Sequence, residues 1–342
     1  MTYTMVEQEQ IQEQVFRSLL AGGYVAAEMK GAPERELTSG NLGLRALITG
    51  KFRGISVSEE EMGILQQRIN CCVARRIPIP FVIPMGGYKK WQLPSSPEAG
   101  WAEFFHLAFM KDLALKIRHF YEPGVTLTYL ACDIAMYDLD VDHFPHEHLD
   151  DYHASFQRLV DYFDDLFKKK DIRFSLKKLS QVIDRDCFLE RFREGFAAVE
   201  RFWTDSGNPL VISAAEARAR RNYYYEKDPP SEDAVRLSAQ KAWVFLKTFF
   251  ELPIIDTKTQ IPVVFRKSEK NCLPLRSFYG EGIQFWVSEG VLRKERDVFT
   301  PRLLSFASLK RYREDSVLSV GGYAFLGRNF SEIKVISGIR HG

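Results

Sequence analysis

The stretch YEPGVTLTYLACD, residues 121–133, decides the fold. Its Glu-Pro-Gly segment ends an apolar-faced helix that we predict over residues 97–121, because proline and glycine interrupt helices. Residues 125–131 are rich in β-branched and aromatic side chains and predict a buried strand. After a polar loop, a second helix is predicted over residues 149–169. This alternation of helix and strand is typical of a doubly wound parallel sheet.

The regions on either side extend the same pattern. The proline-rich stretch IPIPFVIP, residues 77–84, predicts an extended segment, because proline fixes φ and has no N–H to donate. Further helices are predicted over residues 4–21, 58–74, 175–203 and 234–251, and further strands over 261–265, 282–287, 318–325 and 332–337. We therefore expect an α/β fold with a Rossmann-like doubly wound sheet, helices on both faces and extra C-terminal strands. An N-terminal helical region, residues 1–75, and the α/β catalytic domain, residues 76–342, are expected to form one compact unit.

Composition narrows the function classes. The chain has 342 residues, 27% of them charged, and a formal net charge of +2, so nothing in its charge favours a duplex nucleic-acid partner. No apolar stretch is long enough to span a membrane, and the polar N-terminus does not resemble a signal peptide. The five cysteines lack a CxxC spacing and predict free thiols. We expect a cytoplasmic protein.

Asp133 is the first candidate site residue. It directly follows the predicted strand 125–131, and the carboxyl ends of strands face the ligand side of an open α/β sheet. A carboxylate at that edge binds an amine or a hydroxyl, or else it caps a following turn. Asp138, five residues further on, is its weaker companion.

A glycine turn follows the proline-rich strand. Gly86 and Gly87 would let backbone N–H groups approach an anion, with Tyr88 beside them. Lys89 and Lys90 add positive charge. The segment matches neither GxGxxG nor a P-loop, so a solvated turn with surface lysines is an equal alternative.

Two basic segments could hold a phosphate or carboxylate. Arg220 and Arg221 precede a tyrosine run at residues 223–225, and guanidinium groups bind such anions bidentately. Arg266 and Lys267 directly follow the predicted strand 261–265, again at a strand end. The alternatives are a helix with one basic and one aromatic face, and a charged hairpin tip.

The segment DVDHFPHEHLDDYH, residues 140–153, groups four histidines with several carboxylates. Such side chains can bind zinc or iron, but the spacing matches no HExxH motif or facial triad. Because Pro145 interrupts the segment, we favour a solvated, charged loop and expect no metal.

Residues 77–160 resemble the isonitrile (isocyanide) synthase family, also described as the pyoverdine/dityrosine biosynthesis family. The shared order is IPIPFVIPMGGYKK, then SSPEAGWAEFFHLAFMKDLALKI, then Tyr-Glu-Pro-Gly at 121–124, a strand into Asp133, a second acid at Asp138 and a helix from about residue 149. Residues 261–286 more weakly resemble the family's C-terminal strand, turn and strand. This sequence departs from the family where Ile134-Ala135 replace Gly-Arg, where Arg266-Lys267 replace a histidine, and in its Gly-Gly-Tyr-Lys-Lys turn.

The resemblance implies a Rossmann-like enzyme of natural-product biosynthesis without a nucleotide cofactor. In that family the α-amine of an amino acid condenses with the C2 carbonyl of ribulose 5-phosphate and becomes an isonitrile. By position, Asp133 would engage the amine, and Lys89 would polarise a carbonyl or form an imine. Arg220 and Arg221 would hold an anion, which makes an amino acid and a sugar phosphate the expected substrates.

Three rival functions stay open from the sequence. An aminoacyl-tRNA-dependent transferase could use the basic-aromatic segment ARARRNYYY, residues 217–225, to follow an RNA backbone, although the near-zero net charge does not favour tRNA. A metal-dependent oxygenase could use the histidine segment. A non-catalytic module would bind the same small molecules without converting them. The leading hypothesis is an isonitrile-synthase-like transferase or lyase.

Overall fold

The computed structural model describes residues 3–21, 59–90, 92–141, 145–220, 230–251, 256, 258–264, 273–279 and 284–339, and helices make up most of these. A first helix, Met5–Gln12, continues without a break to Ala21 and is called α1. The next helices are α2 (Glu59–Arg75), α3 (Trp101–Phe120), α4 (Asp133–Tyr137), α5 (His146–Phe167), α6 (Arg185–Arg201), α7 (Pro209–Arg220) and α8 (Glu232–Glu251). No described helix combines the length and apolar composition needed to cross a lipid bilayer.

The first sheet has the strand order of a Rossmann fold. Its strands are β1 (Ile79–Met85), β2 (Val125–Ala131), β3 (Ile172–Lys178), β4 (Ile261–Val264) and β5 (Leu273–Pro274). They lie in the order β3-β2-β1-β4-β5, and every pairing is parallel. Side chains of α1, α2, α3 and α5 form the core on one face, and those of α6, α7 and α8 form a second core on the other. The expected doubly wound α/β fold is confirmed.

The prolines of β1 all face one neighbour. The N–H of Ile79 donates to the Gly124 carbonyl, at 3.0 Å, so the odd-numbered residues of β1 bond to β2. Successive residues of a strand alternate sides, which turns Pro80 and Pro84 toward β4. The β1–β2 ladder therefore stays intact. The N–H donors that proline lacks are missing only on the side of β1 that faces β4, where the order of the strands along the chain reverses.

A second sheet covers α3 from the other side. Its strands are β6 (Glu289–Glu295), β7 (Val298–Leu304), β8 (Tyr312–Ser319) and β9 (Glu332–Ile339), with a short helix α9 (Phe306–Leu309) before β8. The order is β7-β6-β9-β8, with β6 parallel to β9 and the other pairs antiparallel. A Cβ atom at Gly290 would lie only 2.3 Å from the Trp101 backbone, so β6 and α3 touch through glycine. Every residue of α3 from Trp101 to Ala114 is consequently buried.

Three sequence predictions differ from the structure. Residues 172–178 form β3 and α6 begins only at Arg185, whereas a helix was expected over residues 175–203. Phe285–Val287 form a 3-10 turn rather than a strand, because their rings pack into the core beside α3. The strand expected over residues 318–325 ends at Ser319, before the glycines at 321 and 322. The β6–β7 hairpin was not predicted.

Candidate functional site

Asp133 lies at the carboxyl end of β2, as its sequence position predicts. It is the first residue of α4 and is 6% exposed. Its carboxylate accepts hydrogen bonds from the backbone N–H of Ser180, at 3.1 Å, and from the Ser180 hydroxyl. In the described part of the chain no lysine, arginine or histidine forms a salt bridge with it. Arg185, which pairs with Asp138, acts on the Asp133 charge without forming a salt bridge with it. A buried carboxylate that lacks a salt bridge is costly.

The glycine turn after β1 lies against the end of β2. The Cys132 N–H donates to the Met85 carbonyl at 3.2 Å, which joins the two strand ends. Gly87 has a φ of 77°, and a Cβ atom there would lie 2.9 Å from Nε2 of His153. A Cβ at Gly86 would lie 2.8 Å from Nε1 of Trp286. These glycines therefore let the histidine and the tryptophan approach the turn closely.

His153, on α5, is the group that faces this turn. It is 7% exposed, and the Gly87 backbone is near enough to act on its ring as a hydrogen-bond partner. Neither ring nitrogen makes a hydrogen bond of full geometry among the described residues. Burial lowers the pKa of His153 to about 4, and the nearby Lys178 ammonium lowers it further. The carboxylates of Asp133 and Asp150 and the Gly87 backbone oppose this shift. The ring is therefore neutral near pH 7 and can accept a proton.

Two further side chains complete the site. Lys178 ends β3, and its Nζ lies 5.8 Å from the centroid of the Tyr137 ring. The Tyr137 hydroxyl donates to Oδ1 of Asp150 at 2.6 Å, and the Tyr137 and His153 rings are 6.5 Å apart. Burial, with Asp150 nearby, raises the pKa of Tyr137. We call Gly87, Asp133, Tyr137, His153 and Lys178 the strand-end cluster, because they gather where β1, β2 and β3 end.

Lys89 turns away from this cluster into the core. Its Nζ lies 3.0 and 2.9 Å from the two carboxylate oxygens of Glu103 and 2.6 Å from the Ser288 carbonyl oxygen. Both charged side chains are fully buried. The predicted reaction of Lys89 with a substrate carbonyl stays a prediction, and this pairing favours a role in holding the turn.

Glu103 collects more donors than Lys89 alone. The Tyr152 hydroxyl donates to its Oε1 at 3.2 Å, and the Gly100 N–H donates to its Oε2 at 2.9 Å. Burial raises the pKa of Glu103, and the Lys89 ammonium opposes that rise. Lys89, Glu103 and Tyr152 thus form a buried network next to the strand-end cluster but separate from it.

Of the other predicted binding residues that the structure describes, two are held in salt bridges. Tyr88 is buried, and Asp138 is paired with Arg185 on α6. Arg220, at the end of α7, pairs with Glu232 at 2.6 Å. Arg221, Arg266 and Lys267 lie outside the described residues, and their predicted anion-binding role stays a prediction.

The histidine segment is not the solvated loop that we expected from residue 146 onward. His146 and His148 lie in the first turn of α5, and residues 142–144 lie outside the described residues. In the described ranges no group of three His, Cys, Asp or Glu side chains is placed to hold a metal ion.

Sequence reasoning missed His153, Lys178 and Tyr137 as site residues. A signal for His153 was present, because Leu149, His153, Phe156 and Val160 follow helical spacing and share a buried face. For Lys178 the signal was the alternation of Ile172, Phe174 and Leu176, which marks β3. Tyr137 had no comparable signal, since its placement depends on how α4 packs on α5.

Comparisons with known proteins support the fold. No protein-family model matches the sequence, and no curated protein matches it. The PvcA protein from Pseudomonas aeruginosa has a similar structure, with a TM-score of 0.59 and 14% identity over 86% of this chain and 99% of that one. A CDPS from Fluoribacter dumoffii aligns over 64% of this chain and 86% of that one, at 14% identity and a TM-score of 0.31, which carries no argument. The chain shares its fold with PvcA.

Proposed function

We propose that the chain is a biosynthetic enzyme that condenses the α-amine of an amino acid with a carbonyl co-substrate, such as a sugar phosphate, at the strand-end cluster. One observation carries this proposal. Among the described residues, the buried Asp133 carboxylate accepts hydrogen bonds only from Ser180 and lies near His153, a neutral histidine whose ring nitrogens make no hydrogen bond of full geometry. The resemblance of residues 77–160 to isonitrile synthases and the fold shared with PvcA agree with such an enzyme.

Asp133 is suited to bind the amine. A carboxylate offers about four acceptor positions, and Ser180 uses two of them. A substrate ammonium would occupy the others and neutralise the buried charge. This contact orients the amino nitrogen over the carboxyl ends of β1 and β2.

His153 and Lys178 would share the proton transfers. His153 takes a proton from the bound ammonium, which frees the nitrogen lone pair to attack the carbonyl carbon. The Lys178 ammonium makes no ion pair or hydrogen bond within the described chain and would stabilise the developing oxyanion. A C–N bond forms, the carbonyl oxygen leaves as water, and an imine results, which is the step expected to precede isonitrile formation.

The test is an incubation of the purified chain with a panel of amino acids and ribulose 5-phosphate, followed by mass spectrometry. We expect an amino-acid-dependent product that retains the amino nitrogen. Replacing His153 by Gln should slow its formation by about 10²–10⁴-fold, the usual contribution of a general base.

A charge-removing variant tests the amine site. Asp133→Asn keeps an acceptor for Ser180 but loses the negative charge, so amino-acid affinity measured by calorimetry should fall at least about 10-fold, or 1.4 kcal/mol. Asp161→Asn, on the exposed face of α5, is the matched control and should bind normally. Absence of both binding and product for every amino acid would refute the proposed function.

A further inference from the structure

A buried network around Glu103 is linked along the chain to Gly87 and to His153, which approach each other closely. Glu103 lies in the first turn of α3, between the two sheets, and is fully buried. Its two oxygens accept from the Lys89 ammonium, the Tyr152 hydroxyl and the Gly100 N–H. A charge buried this deeply is tolerated only when its partners are held in place.

Two members of this network, Lys89 and Tyr152, lie close in the chain to residues of the strand-end cluster. Lys89 comes two residues after Gly87, so the ion pair tethers the far end of the glycine turn. Tyr152 immediately precedes His153 on α5. Successive residues of a helix point about 100° apart, which sends the Tyr152 hydroxyl into the core while His153 faces the turn.

The same network also reaches the segment that packs on Gly86. The Lys89 ammonium also donates to the Ser288 carbonyl, at 2.6 Å, and Trp286 lies two residues earlier. The N–H of Lys90 in turn donates to the Trp286 carbonyl, at 3.1 Å. One ammonium thus joins the turn, α3 and the segment before β6.

The glycine turn and the His153 ring are packed closely against each other. The space where a side chain at Gly87 would begin is only 2.9 Å from Nε2 of His153. A displacement of either element therefore changes how closely the glycine backbone covers the ring.

We propose that Glu103 is a positioning residue that, through Lys89 and Tyr152, sets the distance between the glycine turn and the His153 ring. This inference rests on the proposed function for its catalytic consequence, but the geometry itself is measurable without a substrate. Lys89 then contributes through the turn that it holds rather than by contact with a substrate.

The ionisation of His153 reports on this geometry. The groups around the ring are Lys178 from β3, Asp133 from the start of α4, Asp150 from α5 itself and the Gly87 backbone. Burial is the main reason that the pKa of His153 is lowered to about 4. If the turn moves away, water reaches the ring and the pKa rises toward its ordinary value of 6.5.

Tyr152→Phe is the sharpest variant, because removing Glu103 or Lys89 would leave an unpaired buried charge and risk unfolding. The change removes one hydroxyl and keeps the ring, which stacks on Phe156 with centroids 5.9 Å apart. Histidine-labelled protein is titrated by NMR, and the His153 signal is assigned from His153→Gln. We expect the pKa of His153 to rise by about one unit or more, while the signal of His119, at the end of α3, is unchanged.

Tyr162→Phe is the matched control, since it lies on the same helix and its hydroxyl has no hydrogen bond within the described chain. It should leave the His153 titration as in the wild type. A Tyr152→Phe protein with a lower melting temperature but an unchanged His153 titration would overturn the inference, since a purely stabilising role predicts that result. If the titration shifts and no variant or wild-type protein forms product, the positioning role stands and the proposed function fails.

If product forms, Tyr152→Phe should lower kcat about 10-fold at unchanged KM, the signature of an interaction expressed in the transition state.

Discussion

The core network around α3 and the strand-end cluster use the same kinds of side chain in opposite ways. Each contains a lysine and a carboxylate. In the core, the Lys89 ammonium meets both Glu103 oxygens and a backbone carbonyl. At the strand ends, Lys178 makes no ion pair within the described chain, and Asp133 is bonded only to Ser180.

The two buried histidines show the same difference. Nδ1 of His106 lies 2.6 Å from the Ser277 carbonyl oxygen, and its Nε2 lies 3.0 Å from the Tyr129 hydroxyl. Burial lowers the pKa of His106 to about 3, so this ring is neutral like that of His153. The His153 ring nitrogens, however, make no hydrogen bond of full geometry within the described chain. Because buried polar groups are almost always satisfied, this difference is the reason that the proposed site includes His153 and not His106.

The largest expected effect comes from breaking the core pair. Lys89→Met leaves the Glu103 carboxylate buried without its cation and should lower the free energy of unfolding by about 3–5 kcal/mol. Lys178→Met, in the strand-end cluster, removes only a cation near the Tyr137 ring and should cost less than about 1 kcal/mol. Urea unfolding followed by circular dichroism measures both. Equal losses in the two variants would remove the distinction between the two regions.

The region around β2 could be predicted from the sequence because its signals are local. Pro123-Gly124 marks the end of α3, and residues 125–131 form β2 with the predicted bounds. The β6–β7 hairpin was missed because no Gly or Asn marks its turn, where Arg296 adopts a φ of 57°. The burial of α3 on all sides could not be anticipated either, since it depends on the second sheet.

The site was only partly predictable, because side-chain direction depends on distant contacts. Asp133 was found since its position at a strand end is fixed by β2 itself. Lys89 has the expected chain position, but Glu103 and Ser288, the latter 199 residues away, draw it into the core. His153 lies in the helix predicted over residues 149–169, but it was considered only as part of the charged histidine segment and not as a site residue. Pro145, which was expected to interrupt that segment, is the residue before the first turn of α5.

A second, smaller effect is the pH dependence of the unfolding free energy that His153 causes. The pKa of His153 is about 4 in the folded chain against 6.5 in the absence of burial, so the unfolded chain binds this proton first as the pH falls. Protonation therefore favours unfolding from about pH 6.5 down to about pH 4. His153→Gln removes this term. Relative to wild type, the variant should gain roughly 2 kcal/mol of unfolding free energy between pH 7 and pH 4.5. Parallel stability profiles for the two proteins would contradict a buried, neutral His153.

The last comparison concerns the loss of one hydroxyl from each region. Tyr129→Phe removes the partner of His106 Nε2 in a site without access to water, so a buried nitrogen loses its hydrogen bond and unfolding free energy should fall by about 1–3 kcal/mol. Ser180→Ala removes a donor to Asp133, but Ser180 is exposed and water can replace its hydroxyl. The cost there should stay below about 1 kcal/mol. Differential scanning calorimetry resolves the two values. If the Ser180 variant lost as much stability as the Tyr129 variant, the Asp133 carboxylate would depend on Ser180 as fully as Glu103 depends on its own partners. No acceptor position on Asp133 would then be free for a substrate amine.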